Sequence, residues 1–388
     1  MERDAATRDV GVVLSGGAIN GVLMECGFLA RLRETSLWPR IACVFGTSAG
    51  ALAGAMAVLD RLDQLEDFLL RLQPHETFRP NPLWRQPFLG LHSYVLPRTV
   101  GERLGDPVEF ARALTRAEAE LVVFATDLSL EVHDGTHPGE LAYSSRTTPP
   151  DLLAEAVLAS AAISALVAPR RVGDRIATDG AWVRNFPLGH AYAHPEVKTI
   201  VSFRLESRGR GVGGLDYAAI RRKLGRFRRV APVKALLAEL DRAEERERVG
   251  EPAHLVDMIA RLSRLAIDRN TALEAILADE KDQSIRELEA LRAEIRRLAV
   301  EYVRTPRRRR RLEEEIDARF ARAQFPFRHD RLIPRIGVVG SVGDVSLDPG
   351  LRAQKPWTVE DKRALIQRGY DLADAEFRAA GIAEESAA

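Results

Sequence analysis

The chain has 388 residues, 46% hydrophobic but only 6% aromatic, so it can bury a large core built mainly of Ala, Leu and Val, as one domain or two. Lys and Arg number 57 against 56 Asp and Glu, a balance that favours no particular partner. Cys26 and Cys43 both sit in apolar runs and exclude a disulfide framework or a cysteine metal site; the charged start Met1–Asp9 is no secretory signal, and no apolar run reaches the roughly 18 residues of a membrane span, so the expectation is a cytoplasmic protein, peripheral to a membrane at most.

Val10–Leu14 has the composition of a buried strand. It leads into Ser15-Gly16-Gly17-Ala18-Ile19-Asn20-Gly21, and then into an apolar-periodic helix over Val22–Arg33. A glycine loop in that position leaves backbone N–H groups open to an anion. The spacing is not G-x-G-x-x-G, and no acidic residue ends a second strand, so a dinucleotide fingerprint fits poorly; no Gly-Lys-Ser/Thr follows, which excludes a Walker loop. Two readings remain, a tight strand-to-helix turn and an oxyanion hole. The next unit repeats the pattern. Ile41–Phe45 is a strand, Gly46-Thr47-Ser48-Ala49-Gly50 a sharp turn, and the small residues after it a helix. Ser48 then stands at the turn's tip and at the positive end of a helix, where a nucleophilic serine is placed. Gly46 and Gly50 are small because side chains there would strike the neighbouring strand and helix. The two turns belong to adjacent parallel strands and meet at one sheet edge.

Leu14-Ser15-Gly16-Gly17-Ala18 with Gly21, followed by Gly46-Thr47-Ser48-Ala49-Gly50, resembles the patatin-like phospholipase family. That family completes its site with a later Asp-Gly-Gly or Asp-Gly-Ala, and Asp179-Gly180-Ala181 matches. The resemblance implies Ser48 as nucleophile and Asp179 as base. It also implies an oxyanion hole of N–H groups around Gly16, Gly17 and Ala18, with Ala49 as a further donor. Two positions depart from the family pattern: Ala18 stands where a third glycine is common, and Asn20 where Arg or Lys often stands.

Further along, Asp63–Leu72 reads as a helix. Pro74–Pro87 holds four prolines with Phe78, Trp84 and Phe88 and is either a lid or, preferably, a connector that packs its aromatics on the core. Leu121–Ser129 is a central strand with Asp127 in a structural hydrogen-bonding role. Leu128–Val132 and Glu140–Tyr143 read as a hairpin turning at Asp134-Gly135, with His133 in the turn. Asp151 is expected to cap a helix ending at Ala159. Ser160–Pro169 is similar to the family's apolar segment, with Ser164 where proline is common. Arg170–Asp179 reads as a small hairpin turning at Gly173-Asp174, so that Asp179 ends its returning strand. Asn185 and Pro187 fall as in the family's Asp-Gly-x-x-x-x-Asn-x-Pro run, and Thr199–Leu205 is another strand.

A carboxylate of ordinary pKa is a weak base toward serine, so a Ser–Asp pair needs a desolvated aspartate and a strong oxyanion hole. Ile176, Ala177 and Trp182 supply apolar surroundings for Asp179. His75, His92, His133, His137, His190, His194, His254 and His329 lack strand-end settings and are expected to be solvent-exposed.

From about Glu206 to Arg328 the character changes. Arg208–Gly214 is a linker, and a charged helical stretch starts at Leu215. Between Arg204 and Lys234 ten basic residues face only Glu206 and Asp216. Ile285, Leu288, Leu291, Ile295, Leu298 and Tyr302 form one apolar stripe on a long helix, and Arg307–Arg311 is an unbroken arginine run. This segment is either a helical bundle packed on the sheet or a dock for anionic phospholipid head groups, where clustered basic residues add roughly 1 kcal/mol each. Aromatic interleaving is absent, so no nucleic acid is expected. Arg331–Gly340 returns as a strand, and a helix from Trp357-Thr358 to Phe377 with Gly369-Tyr370 is similar to the end of the patatin core.

The chain thus reads as an α/β three-layer patatin-like sandwich around a mostly parallel sheet, with residues 8–207 and 330–380 forming the catalytic core and 208–329 a charged helical insertion. The resemblance implies hydrolysis of lipid acyl esters, with phospholipid or another acyl lipid as substrate and no metal or organic cofactor. A thioesterase, a transacylase, or a lipid-docking scaffold without turnover would use the same parts.

Overall fold

A computed structural model describes residues 7–82, 85, 90–129, 138–163, 166–206, 217–248, 251, 255–322, 332–342, 345–347 and 356–382. Trp84, Phe88, His133, the Asp134-Gly135 turn, His137, Ser164, the 208–214 linker, His254 and His329 lie outside the described residues. The strands are β1 (Val10–Leu14), β2 (Ile41–Thr47), β3 (Phe78–Pro80), β4 (His92–Tyr94), β5 (Glu120–Asp127), β6 (Glu140–Ser144), β7 (Arg170–Val172), β8 (Arg175–Asp179), β9 (Thr199–Glu206) and β10 (Arg335–Ser341).

The apolar runs of β1 and β2 are buried at every residue, as befits parallel strands covered on both faces. Eight strands make one sheet in the order β10-β9-β1-β2-β5-β8-β7, with β6 also paired to β5; β3 and β4 form a separate hairpin. β10, β9, β1, β2 and β5 run parallel, and β6, β7 and β8 antiparallel to their neighbours. Alternate residues of one strand serve opposite faces. Val12 packs in a cluster with the helices Ala18–Arg33, Ala49–Val58 and Val359–Ala379, whereas Val13 packs with Phe186, Leu188 and Ala278 from the other side. Helices therefore cover both faces of the sheet, and the architecture has three layers.

β5 decides where the site forms. β6 occupies one edge of β5 along Val122–Thr126. The other edge is taken first by β2, up to the pair Thr47–Phe124, and then by β8, from the pair Asp179–Ala125. The end of β2 and the end of β8 thus meet head to head. The hairpin partner of Glu140–Ser144 that can be described is β5 itself.

The closing helix Val359–Ala379 lies very close to Ala18–Arg33. A Cβ on Gly369 would come within 2.0 Å of the Met24 carbonyl oxygen, and one on Gly27 within 1.9 Å of that of Ile366. The Gly-Tyr pair is explained by this approach and by the Tyr370 hydroxyl, which donates to Glu34 at 2.6 Å. Asp151 does not cap its helix. Proline at the first helical position moves the start to Pro150 and the cap to Pro149, leaving Asp151 in the first turn, where its charge still suits the helix dipole.

Between residues 217 and 322 the described chain is helical: Tyr217–Leu224, Ala231–Arg248, Leu255–Tyr302 and Pro306–Arg322. Leu255–Tyr302 has 48 residues, about 72 Å at the usual helical rise. Its middle packs on the second face of the sheet, where Thr271, Ala278, Asp282 and Ile285 are buried. Farther on, Leu291 and Leu298 are exposed and Tyr302 is 79% exposed, so the predicted stripe is only partly covered. Pro306–Arg322 folds back there, with Arg292 paired to Asp317 at 2.6 Å. Among the described residues no helix is long and apolar enough to cross a membrane.

Candidate active site

Ser48 occupies the corner between β2 and the helix Ala49–Val58, with φ 54° and ψ −116°, a strained backbone for a residue with a side chain. The corner is tight enough that a Cβ on Gly46 would come within 2.3 Å of the Gly50 oxygen, and one on Gly50 within 2.6 Å of the Leu14 oxygen. The Ser48 N–H donates to Ser160 Oγ at 2.8 Å, and the Ser160 hydroxyl donates to the Phe124 carbonyl at 2.5 Å. Ser160 therefore braces the elbow against β5. A serine in an Ala-rich helix end carries too little signal for that role to be read in advance.

The head-to-head meeting of β2 and β8 brings Ser48 to Asp179. Ser48 Oγ donates to Asp179 Oδ2 at 2.8 Å, while Asp179 Oδ1 accepts the Ala181 N–H at 2.8 Å. Each residue is only 5% exposed. Burial pushes the Asp179 carboxyl up to about 6 from its ordinary 3.8, against the opposing pull of the Ala181 N–H and the Ser48 hydroxyl. The aspartate is fixed from both sides: its N–H donates to the Ala162 carbonyl at 3.0 Å, and Thr126 Oγ1 donates to its carbonyl at 2.7 Å. Gly180 turns so closely against β5 that a Cβ would lie 2.2 Å from the Phe124 oxygen. Among the described residues no histidine hydrogen-bonds to Ser48 or Asp179.

The glycine loop lies against the elbow, since a Cβ on Gly16 would sit 3.1 Å from Ser48 Cβ. Its N–H groups are not equivalent. That of Gly16 is shared between the Asn185 carbonyl at 3.2 Å and the Asn185 side-chain Oδ1 at 3.1 Å. The N–H groups of Gly17, Ala18 and Ala49 have no acceptor among the described residues. Asn20 is turned to the chain's late segment, where its Oδ1 accepts the Leu347 N–H at 2.8 Å. A cavity of about 120 Å³ has Ser48, Ala18 and Ala49 in its wall. The rest of its lining is almost wholly apolar, including Leu52, Met56, Phe68, Leu114, Val157 and Trp357.

Several histidines are not solvent-exposed as expected. His92 is buried, His190 Nε2 meets Glu140 at 2.7 Å, and His194 Nε2 meets Glu120 at 3.2 Å. These carboxylates lie on strands whose pairing brings them under the helix Leu188–Ala193, which the local sequence does not disclose. Cys43, Glu120 and His194 gather within 4.8 Å of one another. Arg146 already supplies a cation there, 3.4 Å from Glu120. Asp127 has a structural part, accepting the Ser129 N–H at 2.8 Å and facing Arg175 at 3.4 Å.

Residues 12–192 match the family described as patatin-like phospholipase. The chain carries a patatin-like domain. The matched residues hold the glycine loop, the elbow and Asp179-Gly180-Ala181. The match ends before β9 and leaves the 217–322 helices outside it. Among solved structures, the chain is similar to VipD from Legionella pneumophila at 12% identity and a TM-score of 0.41, over 96% of this chain and 67% of that one. No curated protein is similar to the chain.

Proposed function

We propose that this protein hydrolyses acyl esters of lipids, with Ser48 as the nucleophile and Asp179 as its general base. The observation that carries the reading is the buried 2.8 Å hydrogen bond from Ser48 Oγ to a carboxylate whose basicity burial has raised. As Oγ attacks the acyl carbonyl, Asp179 Oδ2 takes its proton, and the carbonyl π electrons move onto oxygen. The N–H groups of Gly17, Ala18 and Ala49 are available to that oxyanion, and two of them open helices whose positive ends add to the stabilisation. Collapse of the intermediate expels the alcohol, which receives the proton from Asp179, and leaves an acyl group on Ser48. Water then attacks the acyl carbonyl and gives a proton to Asp179, which passes it to Ser48 Oγ as the acyl–oxygen bond breaks and the fatty acid leaves.

The apolar cavity beside Ser48 suits an alkyl chain and offers no charged group to a polar acyl substituent. Peripheral contact with an anionic membrane is part of the same proposal. Exposed Arg226, Arg228, Arg229 and Lys234 flank exposed Phe227 along the chain, and no acidic residue occurs between Tyr217 and Lys234. The test is fatty-acid release from a panel of phospholipid, neutral ester and acyl thioester by the wild type beside Ser48→Ala. Release from the oxygen esters that disappears in the variant is expected. Turnover of the thioester alone would move the substrate class, and no turnover at all would leave a lipid-docking scaffold.

A further inference from the structure

The helix Leu255–Tyr302 lies outside the family match, yet one of its side chains reaches the glycine loop through a single intermediate. Asn185 Oδ1 accepts the Gly16 N–H at 3.1 Å, and Asn185 Nδ2 donates to Thr271 Oγ1 at 2.7 Å. Thr271 in turn donates its hydroxyl hydrogen to the Ile267 carbonyl at 2.8 Å, one turn back in its own helix. That hydrogen is therefore spent, and Thr271 can only accept from Asn185. The direction of the whole chain follows. Thr271 requires the amide's NH2 end, so the amide's oxygen end is left for Gly16.

All three groups are buried, so water does not take over if one partner is lost. A reversed amide would set an NH2 against the Gly16 N–H, donor against donor. The same helix grips the run after Asp179 at two further points. Asn270 Nδ2 donates to the Trp182 carbonyl at 2.9 Å, and Glu274 pairs with Arg184. Three residues within two turns thus hold positions 182–185, which connect Asp179-Gly180-Ala181 to the glycine loop.

We propose that Thr271 is a positioning residue for the hydrolytic site. It locks the Asn185 amide, which together with the Asn185 main-chain carbonyl occupies the Gly16 N–H and leaves those of Gly17 and Ala18 to the oxyanion. The insertion completes the site. The catalytic part of this inference rests on the function proposed above; the holding of the loop does not.

Hydrogen–deuterium exchange on the full chain separates the two. In Thr271→Val the peptide spanning Ser15–Gly21 is expected to exchange about tenfold faster, as a lost buried hydrogen bond allows. Thr271→Ser keeps the oxygen and should exchange as wild type. Asp279→Asn, which loosens the same helix at its contact with Arg335, should leave that peptide unchanged. Thr271→Ala removes the oxygen without added bulk and should repeat the valine result. Unchanged exchange in both Thr271→Val and Thr271→Ala, or equal acceleration in Asp279→Asn, overturns the holding role. With an ester substrate, Thr271→Val should lower kcat about tenfold with KM within about twofold, and Thr271→Ser should restore it. Faster exchange with wild-type kcat would overturn the link to catalysis. A wild type that hydrolyses nothing would sink the proposed function while the exchange result still decides the positioning role.

Discussion

Asp179→Asn is expected to remove activity and make the protein more stable. In the folded chain the carboxyl sits at about 6 instead of 3.8 because burial disfavours its charge. Two pH units at about 1.4 kcal/mol each give a cost of about 3 kcal/mol for keeping Asp179 ionised. The sign follows from proton binding. Between 3.8 and about 6 the folded state holds the proton and the unfolded state has lost it, so stability falls as pH rises through that window. Asparagine carries no charge to desolvate. Its Oδ1 can accept the Ala181 N–H and its Nδ2 can donate to Ser48 Oγ, so both partners of the carboxylate keep a hydrogen bond. In urea unfolding near pH 8 the variant should gain about 3 kcal/mol, with the gain shrinking below about pH 6 and gone near pH 4. Ester hydrolysis should fall by about a thousandfold or more, since an amide cannot accept the proton. A variant no more stable than wild type near pH 8, or one whose gain ignores pH, would refute the desolvation argument.

Other outcomes follow from the same geometry. Hydrolysis should rise as Asp179 ionises, with kcat/KM climbing through about pH 6 and then levelling; a profile flat from pH 4 to 8 would contradict an aspartate base. Ser160→Ala strips the Ser48 N–H and the Phe124 carbonyl of their shared partner, and should cost about 2 kcal/mol in urea unfolding while lowering kcat. Replacing Arg226, Arg228 and Arg229 together by Ala should weaken binding to phosphatidylglycerol vesicles by about a hundredfold in a sedimentation assay at low salt. High salt should weaken the wild type likewise, and equal binding to neutral vesicles would contradict the charge argument.

The parts that local chemistry dictates were legible in the sequence. Continuous apolar runs mark β1 and β2, and the crowding at Gly46 and Gly50 is the steric reason inferred for them. What joins distant segments was not. Nothing near Asp179 states that β8 takes over the edge of β5 where β2 stops, yet that succession brings Asp179 to Ser48. Asn185 stood out within a motif, but its two partners are Gly16 and Thr271, the latter 86 residues away in a helix that reads as charged and solvated. Gly16 shows the limit from the other side. Its loop was recognisable, whereas the use of its N–H by Asn185 depends on a side chain folded in from elsewhere. The stripe ending at Tyr302 is real as a pattern, but the helix extends past the sheet that would cover it.

The most direct test of the central claim is covalent trapping of the nucleophile. Wild type, Ser48→Ala and Asp179→Asn are each treated with a fluorophosphonate, digested, and mapped by mass spectrometry. The account predicts one adduct on Ser48 in the wild type, none at that position in Ser48→Ala, and far slower labelling in Asp179→Asn. An unmodified Ser48 in the wild type, or labelling as fast in Asp179→Asn, would contradict it.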